Sequence, residues 1–158
     1  TTAMRKLLLI ILCTSALVAC NNKQLYSKFH TISPMGWQQD SILDYTIDIA
    51  DSTALYDLII VLRHTNKYPY QNFWMFVETS YGNTLLQRDT IEGYLADNYG
   101  RWIGNGINTY TLPLIYNKEM SFPCSGKYTF SIQQGMRIEY LQGITDVGLQ
   151  VVKYNGKE

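Results

Sequence analysis

Histidine, cysteine and proline are sparse in this 158-residue sequence, which has two, three and four of them respectively. His30 and His64 have no third ligand near them at a zinc-site spacing, so no metal centre is expected. There is no G-x-S-x-G elbow, no phosphate-binding glycine loop and no H-E-x-x-H pair, so the residues of those chemistries are missing and no cofactor is expected. Charge is scarce and balanced, with 13 Lys and Arg against 13 Asp and Glu. A nucleic-acid partner needs a basic patch, and none is present. Low-complexity stretches and internal repeats are absent too.

The N-terminus holds the one long apolar run. Thr1, Thr2 and Ala3 precede Met4, which reads as a natural start; Arg5 and Lys6 follow as a short positive segment. Leu7 to Leu12 are all aliphatic, and the run continues to Val18 before small residues lead to a cysteine in Leu17-Val18-Ala19-Cys20. This order is that of a secretory signal, and the run is shorter than the roughly 20 apolar residues that span a bilayer. L-V-A-C resembles the lipobox of bacterial lipoproteins, which implies cleavage after Ala19 and acylation of Cys20. An ordinary signal peptide or an uncleaved anchor is the alternative. The expected organisation is a signal peptide over residues 1–19, a lipidated Cys20 on a short polar tether ending at Lys28, and one domain over residues 29–158.

The mature chain from Cys20 then has 11 basic and 13 acidic residues, since only Arg5 and Lys6 leave with the signal. Cys13 leaves as well and Cys20 carries lipid, so Cys124 has no partner for an intramolecular disulfide. In an oxidising envelope an exposed thiol is a liability, so Cys124 is expected to be buried as a small hydrophobe.

Beyond the signal the hydrophobic period is two. Leu43, Tyr45, Ile47 and Ile49 alternate with Asp44, Thr46 and Asp48, the pattern of a half-buried strand. Residues 56–63 are nearly continuously apolar and suit a central strand. Residues 73–79 carry aromatics on both faces, and Tyr81-Gly82-Asn83 reads as the turn of a hairpin into residues 84–90. Tyr110, Leu112, Leu114 and Tyr116 share a face of a strand that Pro113 places at an edge or bulge. Tyr128, Phe130 and Ile132, then Val147, Leu149 and Val151, mark two more. Only Gln134 to Leu141 reads as a short helix. Thirteen tyrosines fit strands and binding surfaces better than helices. The expected fold is all-β, a single β-sandwich or jelly roll.

Two groups are candidates for function. Glu78, Asp89, Glu92 and Asp97 are the carboxylates that a glycosidase-like reaction would draw on, although such residues are usually solvated. The loop Asp97-Asn98-Tyr99-Gly100-Arg101-Trp102-Ile103-Gly104-Asn105-Gly106 displays Tyr99, Arg101 and Trp102, types enriched at binding hot spots and able to stack on sugars. In the alternative reading Trp102 plugs one end of the core.

Several segments together resemble the gliding-motility lipoprotein GldH family of the Bacteroidetes. They are Trp37 with Asp40-Ser41-Ile42; Leu62-Arg63, Tyr68-Pro69-Tyr70 and Asn72; Asp89-Thr90 with Glu92; the Gly100 to Gly106 loop; Gly126-Lys127-Tyr128; and Gln133, Met136-Arg137, Gly143-Ile144 and Val147-Gly148. Phe73-Trp74 departs from the aliphatic residue usual after the Asn72 equivalent. The resemblance implies a lipid-anchored, non-enzymatic accessory protein of an envelope gliding-motility or protein-secretion assembly, with envelope proteins as partners. A glycan-binding outer-membrane lipoprotein is the alternative. Lipoproteins of that phylum bound for the exterior commonly carry an acidic run after the lipidated cysteine. Asn21-Asn22-Lys23-Gln24 has none, so the domain is expected to face the periplasm from the outer membrane.

Overall fold

A computed structural model describes residues 24–156 of the chain. They form ten strands and no helix: β1 Gln24–Thr31, β2 Trp37–Gln38, β3 Leu43–Ile49, β4 Tyr56–Thr65, β5 Asn72–Tyr81, β6 Thr84–Tyr94, β7 Thr109–Met120, β8 Gly126–Gln134, β9 Tyr140–Leu141 and β10 Ile144–Lys153. Two four-stranded antiparallel sheets, ordered β1-β10-β4-β7 and β3-β8-β5-β6, make the sandwich, and β2 pairs with β9 in a small third sheet.

The alternation read in the sequence decides which face each strand buries. Leu43, Tyr45, Ile47 and Ile49 point inward while Asp44, Thr46 and Asp48 are exposed. Leu58, Ile60 and Leu62 of β4, Val147, Leu149 and Val151 of β10, and Tyr128, Phe130 and Ile132 of β8 join the same core. Two tyrosine hydroxyls cross between the sheets. Tyr45 donates to the Val147 carbonyl at 2.7 Å, and Tyr116 donates to Asp89 Oδ2 at 2.6 Å. Burial, and then the carboxylate beside it, push the Tyr116 hydroxyl well above its usual pKa, which keeps it a donor.

The continuous apolar run of β4 has a local cause. Val61 faces outward yet is buried, because Phe29 of β1 crosses the outer face above Gly148. The register sets Phe29 opposite Gly148 and Gly148 opposite Val61. A Cβ at position 148 would collide with the Phe29 ring, so the cover requires glycine there. The Arg63 guanidinium completes the cover, 4.4 Å from the ring centroid. Pro113 sits on β7, which has β4 as its one neighbour in the sheet and is an edge strand as expected.

Three expectations are corrected. The polar tether does not extend to Lys28, because residues 24–28 are part of β1 and pair with β10; polar residues suit an edge strand with one wet face. Residues 134–141 are not helical. The Gln134 side chain accepts the Met136 N–H at 2.8 Å and donates to the Ile138 carbonyl at 2.6 Å, taking backbone groups that a helix would use, and Arg137 has φ +56°. Cys124 is exposed. Phe122 takes the buried place two residues earlier, and Tyr128 holds the loop by donating to the Cys124 carbonyl at 2.9 Å. The signal peptide and Cys20 lie outside the described residues.

The cover on the outer face is testable by a double-mutant cycle. Gly148→Ala should cost about 1–3 kcal/mol in urea denaturation through overpacking against Phe29. In a Phe29→Ala background the same substitution should cost under about 0.5 kcal/mol, leaving a coupling between the two sites.

Candidate functional site

The loop from Asp97 is built around one carboxylate. Asp97 Oδ1 accepts the backbone N–H groups of Tyr99 and Arg101 at 2.9 and 3.0 Å, and Oδ2 receives Arg101 Nε at 2.8 Å. The Arg101 N–H, with the Tyr99 N–H and the guanidinium behind it, lowers the Asp97 pKa. Gly104 has φ +106°, and a Cβ there would press on the Thr111 carbonyl at 2.6 Å, so this bend needs glycine.

The loop separates the three residues singled out in it. Tyr99 is 85% exposed, the Arg101 side chain is 76% exposed, and the guanidinium lies 5.4 Å from the Tyr99 ring. Trp102 instead turns inward, bridges to Ala96, and packs on His64, Tyr68 and Tyr110 with ring centroids 4.8, 6.5 and 6.1 Å away. The plug reading describes the position of Trp102. His64 is buried at the centre of this group with Nδ1 3.1 Å from the Thr65 carbonyl, so Nδ1 carries the proton; Nε2 has no partner. Burial lowers the imidazole pKa, and the Thr65 carbonyl offsets part of that shift.

The four carboxylates do not converge. Asp89 points into the sandwich at Tyr116, and Asp97 is held in its loop. Glu78 and Glu92 share the outer face, with Glu78 opposite Arg88 and Glu92 opposite Trp74. That offset of four residues is about 13 Å along the strands, beyond the ~5–9.5 Å of glycosidase carboxyl pairs. Glu78 is ion-paired with Arg88 at 2.6 Å, and Glu92 receives Asn72 Nδ2 at 2.7 Å and the Tyr94 hydroxyl at 3.4 Å. Among the described residues no group of three or more His, Cys, Asp and Glu is placed to hold a metal ion.

A concave site lies elsewhere, on the outer face of the β3-β8-β5-β6 sheet. Phe73, Met75 and Val77 of β5 enter the core, so Trp74 and Phe76 stand on the opposite face, 38% and 39% exposed. Thr90 of β6 lies opposite Phe76, and Gly135, Met136 and Arg137 follow the end of β8. These six residues line a cavity of about 390 Å³. Its wall is pinned to β5: Gly135 N–H donates to the Trp74 carbonyl at 2.7 Å, and Trp74 N–H reaches Met136 Sδ at 3.1 Å. Behind it Gln134, 1% exposed, holds both sides of the turn through its amide. Sequence reasoning passed over this site. The available signal was two aromatics, Trp74 and Phe76, at the solvent-facing positions of a strand whose other face was already apolar.

The chain is thus an all-β antiparallel sandwich with a cavity on the outer face of one sheet. Comparison with known proteins makes the assignment specific, for the GldH lipoprotein family model matches residues 24–151. The chain belongs to the GldH lipoprotein family. It is 35% identical over 143 residues to the "Gliding motility lipoprotein GldH homolog" of Christiangramia forsetii, covering 85% of this chain and 87% of that protein. It is 29% identical over 150 residues to the "Gliding motility lipoprotein GldH" of Flavobacterium johnsoniae, covering 90% and 93%.

Two outcomes follow from the aromatic group. Trp102→Ala should lower stability by about 2 kcal/mol or more in urea denaturation, whereas Arg101→Ala, which loses an exposed ion pair and an exposed contact with the Tyr99 ring, should change it by under about 0.5 kcal/mol. Because the folded His64 pKa is depressed, the unfolded chain takes up the proton first. Stability is therefore retained above pH ~6.5 and falls as pH drops below it. His64→Phe should flatten that acid-side fall in a pH series of melting temperatures.

Proposed function

We propose that the chain is a lipid-anchored, non-catalytic accessory protein of an envelope gliding-motility and protein-secretion assembly. The family match across residues 24–151 carries this reading, and relatives named for gliding motility support it. The carboxylates that chemistry would need are spent on structure, as the Glu78–Arg88 and Asp97–Arg101 ion pairs illustrate. In this reading Cys20 carries acyl chains, palmitate among them. Two or more chains anchor stably where one holds only marginally. The domain stands on the periplasmic side of the outer membrane. Since β1 begins at Gln24, only residues 21–23 separate the lipidated cysteine from the sandwich, and at about 3.6 Å per residue they keep the domain against the membrane surface.

Cells fed a clickable palmitate should label the wild-type chain and not Cys20→Ser, and the Ser variant should leave the membrane fraction. A Ser variant that still takes label contradicts the anchor. The native lipoprotein, solubilised from its host, should co-purify with envelope proteins of the motility or secretion apparatus. Isolation without any of them contradicts the accessory role.

A further inference from the structure

We propose that the Trp74–Phe76 cavity is a docking site for a partner protein's peptide segment, one that inserts an apolar side chain and sets an Asp or Glu beside it. The inference rests on the accessory reading and supplies the contact that reading lacks. The walls are those of a side-chain receptor: two aromatic faces, a methionine, and a volume of about 390 Å³ at the small end of the range for binding pockets. Trp and Arg are the residue types that most often dominate protein interfaces, and methionine adapts to varied apolar shapes.

Charge selects the neighbour of the apolar anchor. The ion pairs among the described residues are Arg88–Glu78, Arg101–Asp97 and Lys153–Asp51, so Arg137 stands at the cavity with its charge unmatched. Its backbone is at φ +56°, a conformation that L side chains rarely adopt, and the buried Gln134 amide fixes the turn that holds it there. Strain of this kind persists only where the surroundings impose it, and it concentrates at functional sites. The backbone that carries the cation is thereby fixed beside the cavity before any partner binds.

The same inventory disfavours a sugar. A pyranose needs several partners for its hydroxyls, and a polar group buried without one is costly. Around the cavity both Glu92 carboxylate oxygens already accept bonds from Asn72 and Tyr94, and Gln133 Nε2 is committed to the Gln39 carbonyl at 2.7 Å. Of the side chains that line the cavity itself, only Thr90 and Arg137 are polar. An apolar side chain asks nothing of the floor, and a carboxylate asks only for Arg137.

The test is selection of a phage-displayed random 12-mer library on the native lipoprotein held in lipid nanodiscs, with empty nanodiscs as background, beside a glycan array. The wild type should enrich sequences with a large apolar residue next to Asp or Glu. A synthetic peptide of that motif should bind roughly 30-fold more weakly to Trp74→Ala or Phe76→Ala. Arg137→Glu should redirect selection toward Lys and Arg. Arg137→Gly, which relieves the strained backbone, should melt no lower than the wild type and still lose the acidic preference. No enriched motif, a motif indifferent to Arg137→Glu, or a Trp74-dependent glycan signal without peptide enrichment overturns the docking site. The accessory role stands or falls separately, on co-purification of the native lipoprotein.

Discussion

Side-chain alternation along the strands is the constraint on which the rest of this molecule depends. Each sheet has one face that must leave water, and the two faces close on each other as a single core. Everything that can meet a partner is thereby moved to the outer faces and the loops. The two outer faces use their aromatics differently. On the β1-β10-β4-β7 sheet, Phe29 lies over Gly148 and under Arg63, so the ring serves as cover. On the other sheet, Trp74 and Phe76 stand beside a cavity that none of the described residues fills.

Rigidity at the loop ends comes from a few polar side chains that satisfy backbone groups. Asp97 gathers two N–H groups and a guanidinium. Tyr128 holds the Cys124 loop, and Gln134 holds the turn that carries Met136 and Arg137. Buried amides bonded on both sides specify one local structure, because any alternative leaves polar atoms unpaired. The His64 group is less fully satisfied, since its Nε2 has no partner among the rings of Tyr68, Trp102 and Tyr110.

Period-two patterning made the sandwich legible before any coordinates. It placed β3, β4, β5, β7, β8 and β10, the 81–84 hairpin and the edge position of Pro113. It missed β1, whose residues are mostly polar because an edge strand has one wet face, and the two-residue strands β2 and β9, which are too short to show a period. It misjudged residues 134–141, where a side-chain amide, invisible to periodicity, overrides helix formation. The Gly-Asn loop drew attention for its composition, yet composition could not say that Trp102 turns inward while Tyr99 and Arg101 stay in water. The cavity was hidden for a related reason. Trp74 and Phe76 are apolar residues in an apolar strand, and only the facing of β5 between β6 and β8 shows that their side chains miss the core.

The GldH family match is joined here to a cavity on the outer face of a packed sheet, and the proposed reading makes that cavity the contact of an anchored domain with a partner protein. The most direct measurement is photo-crosslinking in living cells of the native host, with a photoreactive phenylalanine analogue at position 76. The same analogue at position 115, exposed on the outer face of the opposite sheet, is the reference. A discrete protein adduct is expected from position 76, abolished by Arg137→Glu, and none from position 115. Adducts from position 115 with none from position 76 would contradict the proposed contact.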